Sequence, residues 1–101
     1  MEQSIDDFMQ EFKRRERSKM EREIKKTQLF RKRITILRKI AKERQKAGLS
    51  QYDMGIKIGL TESGYFKVEK GATKLDLERL LEILDVLNIT LINFFKDINE
   101  D

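Results

Sequence analysis

The 101-residue sequence contains no cysteine, histidine, proline or tryptophan. Without cysteine there is no thiol nucleophile and no disulfide, and without histidine there is no imidazole base. The usual zinc ligands are missing as well, so neither a metal nor an organic cofactor is expected. Catalysis would have to rest on carboxylates, Lys, Tyr, Ser and Thr, and the one conceivable route is a metal-dependent nuclease built from acids alone. The sequence therefore reads as a non-enzyme. No apolar run approaches the ~20 residues of a membrane span. The acidic start, Glu2, Asp6 and Asp7, lacks the pattern of a secretory signal. A cytoplasmic protein that does not engage membranes is expected, since the membrane alternative, a basic amphipathic arm lying on an anionic bilayer, is weakened by a gap in its apolar stripe from Lys13 to Lys19.

What the chain has in excess is charge, and it is unevenly placed. The net value is +4, yet residues 1–12 hold four acids and no base, for -4. Residues 13–46 hold 16 bases against four acids, for +12, and residues 47–101 hold six bases against ten acids, for -4. A basic block of this density suits a polyanion or an acidic protein surface, because clustered charge raises the local potential more than scattered charge does. The plain alternative is a solvated helix.

All five glycines fall at or after position 48, so nothing in the first 47 residues obliges a helix to break. Ser4 followed by Asp7 resembles a capping box, and Ile5, Phe8, Met9 and Phe12 share one helical face. Ser18 with Glu21 offers a second start, which leaves two possibilities, one helix of up to ~60 Å or two helices divided there. A stripe from Phe30 through Ile34, Leu37, Ile40 and Ala41 runs to Gly48, suited to a left-handed closing position. Beyond it, Ser50, Thr61, Asp76 and Thr90 are spaced as helix caps. Gly71 and Asn88 close the second and third of these helices, and Leu77, Leu80, Leu81, Leu84 and Leu87 form the apolar face of the third. The last helix carries Leu91, Phe94, Phe95 and Ile98. No segment alternates with period two, so the expected class is all-α: a five-helix domain over residues 30–98 behind a basic helical arm at 1–29.

The segment GLSQYDMGIKIGLTESGYFKVEKG, residues 48–71, describes two short helices joined by a tight turn, with Gly55 where they approach. It resembles the helix-turn-helix of the lambdoid phage repressor and Cro class, also called XRE-like. Gly48, Leu49, Ser50, Gln51, Ile58, Gly59, Leu60, Thr61, Val68, Glu69, Gly71, Leu77 and Leu80 fit its pattern without a gap. The match spans about residues 33–97. Gly55, Tyr65 and Leu75 depart from it, and the first two are expected to loosen or enlarge the helix crossing.

The resemblance implies that residues 62–70 enter the major groove of double-stranded DNA. Glu62, Ser63, Phe66 and Lys67 would then meet base edges, with Thr61 at the start of that helix and Gln51 on a phosphate. Lys70 and Lys74 are further phosphate candidates. Arg44 and Glu69 occupy positions of a structural ion pair. Because the module beyond residue 46 is net acidic while DNA affinity leans on phosphate neutralisation, two readings stand. In one, Arg31, Lys32, Arg33, Arg38 and Lys39 of the arm supply the missing charge to DNA or to a partner. In the other, DNA binding is weak and the fold serves protein contacts.

A homodimeric transcriptional regulator reading two half-sites about 34 Å apart, or a multiple of that, is the leading expectation. Its dimer surface would be the last helix, through Leu91, Ile92, Phe94 and Phe95, or the arm. The alternative is a HigA-like antitoxin, a class similar in its arm-plus-domain organisation, with a protein partner on residues 1–30.

Overall fold

A computed structural model describes residues 4–96 and 98. The first three residues, Glu2 among them, lie outside the described set. Five helices follow in order: α1 (Ile5–Lys46), α2 (Gln51–Lys57), α3 (Glu62–Lys70), α4 (Leu77–Leu87) and α5 (Leu91–Lys96). There is no strand among the described residues. The chain divides into two compact units, residues 1–31 and residues 32–101, and α1 contributes to both.

The first unit is helical throughout its described part, opened by the Ser4 hydroxyl, which accepts from the Asp7 amide at 3.1 Å. Asp6 and Asp7 lie in the first turn, where negative charge complements the helix dipole. Ser18 and Glu21 start no second helix: the run is unbroken, as a stretch free of Gly and Pro permits. Glu11 pairs with Arg14 and Arg15 one turn on, and Lys26 pairs with Glu23. The Glu11 carboxyl is held below the usual carboxylate range, chiefly by its hydrogen bond from Arg14.

In the second unit every helix sends at least one side chain into a common core: Leu37 and Ile40 from α1, Met54 from α2, Tyr65 and Val68 from α3, Leu80, Ile83 and Leu84 from α4, and Phe94 from α5. Three expectations need correction. Phe30 does not open the core stripe; it is exposed, and the inward face of α1 starts at Ile34. On α4, Leu77 and Leu81 are exposed, because the arc that meets α1–α3 runs through Leu80, Ile83 and Leu84 and a helix cannot bury more than one side against a small core. Ile98 lies beyond the end of α5, although it still packs on the core half-buried.

Caps set the lengths of the short helices. Ser50 and Asp53 form a reciprocal capping box on α2, each accepting from the other's backbone amide at 2.9 and 3.0 Å. Those bonds hold the Asp53 carboxyl below its ordinary range. Thr61 caps α3 by accepting from the Gly64 amide at 3.0 Å, and Asp76 caps α4 by accepting from that of Arg79 at 2.7 Å. Gly71 ends α3 at φ 86° and Asn88 ends α4 at φ 56°, both left-handed, a region that glycine and asparagine enter at least cost. Arg79 also reaches across to the carbonyl of Ile58 at 3.1 Å and so fastens the end of α2 to α4.

Gly55 does not loosen the α2–α3 crossing. The turn backbone comes so close that a Cβ on residue 55 would lie 2.9 Å from the Thr61 carbonyl oxygen and 3.0 Å from that of Leu60. The Leu60 amide donates to the Gly55 carbonyl at 2.7 Å, which draws the turn down onto α2. A branched side chain there must push backbone aside. Gly55→Val is therefore expected to lower unfolding stability by about 1–3 kcal/mol, the range for overpacking, as read from urea midpoints.

Tyr65 is completely buried, and its hydroxyl makes no hydrogen bond among the described residues. It sits under the influence of the Arg44–Glu69 pair. Burial pushes its pKa upward, the Glu69 carboxylate adds to this, and Arg44 partly opposes it. The unfolded phenol ionises near 10.0, so the stability due to Tyr65 is complete below that pH and is lost as pH rises toward the higher folded value. Tyr65→Phe should leave stability at pH 7 within about 1 kcal/mol of the parent, since the lost hydroxyl has no partner. It should also flatten the fall in stability above pH 10, measured as the difference between the two proteins' melting temperatures across an alkaline series.

Candidate nucleic-acid interface

The exposed side of α3 is held from beneath by an ion pair. Arg44, near the end of α1, donates through Nη2 and Nε to the two carboxylate oxygens of Glu69 at 2.9 and 3.0 Å. Its Nη1 donates to the Leu49 carbonyl at 2.8 Å. The two side chains are only 9% and 8% exposed, and the Glu69 bond raises the already high pKa of Arg44. Two parallel bonds from a planar guanidinium fix direction as well as distance. The pair thus sets how α3 lies on α1, with Tyr65 and Val68 inward and Glu62, Ser63, Phe66, Lys67 and Lys70 outward.

Four of these outward residues, Glu62, Ser63, Phe66 and Lys70, border two adjoining hollows, and Lys67 borders neither. One, of about 360 Å³, lies between α1, α2 and α3, and is lined by Ile34, Arg38, Ala41, Gln51, Phe66 and Lys70 among others. The second, of about 550 Å³, is lined by Gln51, Glu62, Ser63 and Phe66. Gln51 and Phe66 border both, so Arg38 and Lys70 at one end are joined to Ser63 and Glu62 at the other. Phe66 is not a core residue. Its ring stands 45% exposed, with the Lys70 ammonium 5.6 Å from its centroid. Lys67, one helical turn beyond Ser63, is exposed on the same side of α3.

The expected contact residues divide by their surroundings. Thr61 spends its hydroxyl oxygen as the cap of α3, although the residue is exposed. Lys74 is exposed in the segment between α3 and α4 and borders neither hollow. Within the basic set on α1, Arg38 alone borders the strip. Arg33 donates through Nη2 to the Gly71 carbonyl, where α3 ends, and Lys39 stands 5.3 Å from the ring centroid of Phe94. Both serve the fold by these contacts, a role the charge pattern does not reveal. Lys32 is exposed in the second unit, and Arg31 is exposed in the first. The apolar floor of the strip, Ile34 and Ala41, was legible only as core stripe. Its spacing of seven from Ile34 to Ala41, with Arg38 between them, is the signal that places them at one edge of the interface.

Four of the described acids beyond residue 46 are engaged by other groups. Asp53 and Asp76 are engaged in caps, Glu69 is neutralised by Arg44, and Glu82 pairs with Arg79 on α4. Glu62 is the one outward carboxylate on α3, against Lys67 and Lys70. The face is locally basic on a module whose sum is acidic.

Two short capped helices crossing at a glycine, the second with an inward face locked to the preceding helix and an outward face left polar, make up a helix-turn-helix. A family model described as helix-turn-helix matches residues 40–94, more than half of the chain. The chain belongs to the XRE-like helix-turn-helix family. XRE-like domains are DNA-binding regulators, and this chain carries that fold complete from the end of α1 to α5. No curated protein and no solved structure gives a significant match to the chain. No helix among the described residues is long and apolar enough to cross a membrane.

If Arg33 works as a clasp on Gly71, Arg33→Ala should lower stability by about 1 kcal/mol, the scale of one partly exposed charge-assisted bond. Thermal melts without DNA would read it. An unchanged melting temperature would return Arg33 to the candidate contacts for DNA or a partner.

Proposed function

We propose that this protein is a sequence-specific transcriptional regulator that presents α3 to the major groove of an operator and acts as a homodimer on paired half-sites. The observation that carries this reading is the polar, locally basic strip along α3, held outward by the buried Arg44–Glu69 pair. Lys67 is assigned to a guanine edge, where an ammonium can donate to O6 or N7, and Ser63 to an adaptable neighbouring contact. Glu62 suits a cytosine N4 amine, and Phe66 a thymine methyl. Gln51, Lys70 and Arg38 border the same strip and are assigned to phosphates, with Lys74 further out. In this reading Arg38 is the residue through which α1 contributes charge to the duplex.

A second reading has an observation of its own. The apolar residues of the first unit are exposed, from Ile5 at 81% to Met9 at 44%, which also suits a protein partner of antitoxin type on residues 1–30. A stoichiometric complex with a small protein encoded alongside would favour it.

Selection from a random duplex pool should return a repeated half-site. Against the selected sequence, Lys67→Ala should weaken binding about tenfold or more while changing affinity for random DNA little, since one base contact is worth about 1–3 kcal/mol. Anisotropy of labelled DNA across a salt series gives both numbers. An unaltered preference for operator over random DNA would remove Lys67 from the reading face.

A further inference from the structure

The first unit presents an amphipathic helix whose apolar side is exposed. Ile5, Phe8, Met9, Phe12, Met20, Ile24 and Phe30 are all exposed. They cluster into two groups, 5–12 and 20–30, separated by residues 13–19, which contain no large apolar residue. A helix normally owes its stability in water to packing of such a face, and clusters of exposed apolar side chains of this size mark association surfaces.

The charge along the same helix says what kind of partner fits. Residues 5–12 carry three acids and no base, whereas residues 13–31 carry nine bases and three acids, so the segment is an electrical dipole of -3 followed by +6. A parallel second copy would set acid against acid and base against base. An antiparallel second copy sets each acidic end against the basic stretch of the other, and it brings apolar group 5–12 over apolar group 20–30 twice by symmetry. The two apolar-free stretches then meet at the two-fold axis, where Glu16 lies close in register to Arg17 of the other copy. Hydrophobic spacing and charge order thus require the same arrangement, as charged flanks of paired helices commonly set partner and direction.

We infer that residues 5–30 form a self-complementary antiparallel helix pair, and that a second copy of this chain covers the apolar face of the first unit. The inference deepens the dimer part of the proposed function and is independent of its DNA part. The exposed α5 residues Ile92 and Phe95 are not required for it.

The test is a charge exchange on the full chain without DNA, read by sedimentation equilibrium. The parent should be a dimer whose dissociation constant rises with salt. Asp6→Lys with Asp7→Lys, and separately Lys25→Glu with Lys26→Glu, should each weaken self-association about tenfold or more, because every change places like charges opposite one another at two symmetric sites. Mixing the two variants, or combining all four substitutions in one chain, should restore the dimer to within a few-fold of the parent. This rescue excludes misfolding as the cause of the loss. A monomeric parent, or a dimer indifferent to both pairs of substitutions, overturns the proposal. So does weakening without rescue, which would point to another face, and a parallel pair would show no weakening of either variant but a stronger mixed pair. Failure of Lys67→Ala to alter operator preference would leave these results untouched, so the two readings fail separately.

Discussion

The placement of α3 depends on one buried cation. Arg44 has been taken almost wholly out of water, and an isolated guanidinium there would be prohibitively unstable. It is tolerated because three acceptors surround it: both oxygens of Glu69 and the Leu49 carbonyl. These acceptors belong to two pieces of the fold, α3 for Glu69 and the link that follows α1 for Leu49. Satisfying the cation therefore forces α1, that link and α3 into one relative geometry, and the outward direction of Ser63 and Lys67 follows. Replacing such a pair by apolar residues can leave stability intact, so its contribution lies in orientation more than in energy.

Around this fixed point the charge economy of the second unit becomes intelligible. Acidic residues are drawn into local duties, at the caps of α2 and α4 and in pairs with Arg44 and Arg79, each of which removes a negative charge from long-range action. The basic residues left on α3 face outward. A sum over the sequence gives a misleading sign for the face that matters, because it weights engaged and free charges alike. Arg33 and Lys39 show the converse: they count toward the basic block yet are occupied by Gly71 and Phe94.

Helix boundaries were legible in the sequence because they are local: Ser50, Thr61, Asp76, Gly71 and Asn88 each act within one turn of where they stand. The Arg44–Glu69 pair was legible only through resemblance, since 25 residues separate its members. The tightness at Gly55 was misread because what decides it is the path of the backbone at Leu60 and Thr61, which composition does not encode. The packing of Tyr65 and Val68 inward leaves Phe66 on the surface, which no local signal in the sequence decides. Phe30 and Leu77 were misplaced for a related reason. An apolar stripe tells which side of a helix is greasy, not where along it the neighbouring helices begin and end.

The division of labour within α3 has a further consequence. Its inward residues and its caps hold the fold, whereas among the described residues the side chains of Glu62, Ser63 and Lys67 bond to nothing else in the domain. These positions can be exchanged for others of similar helix propensity with little thermodynamic penalty. A scaffold built this way can be redirected to a new ligand surface by a few point changes, each tolerated alone, without passing through an unfolded intermediate sequence.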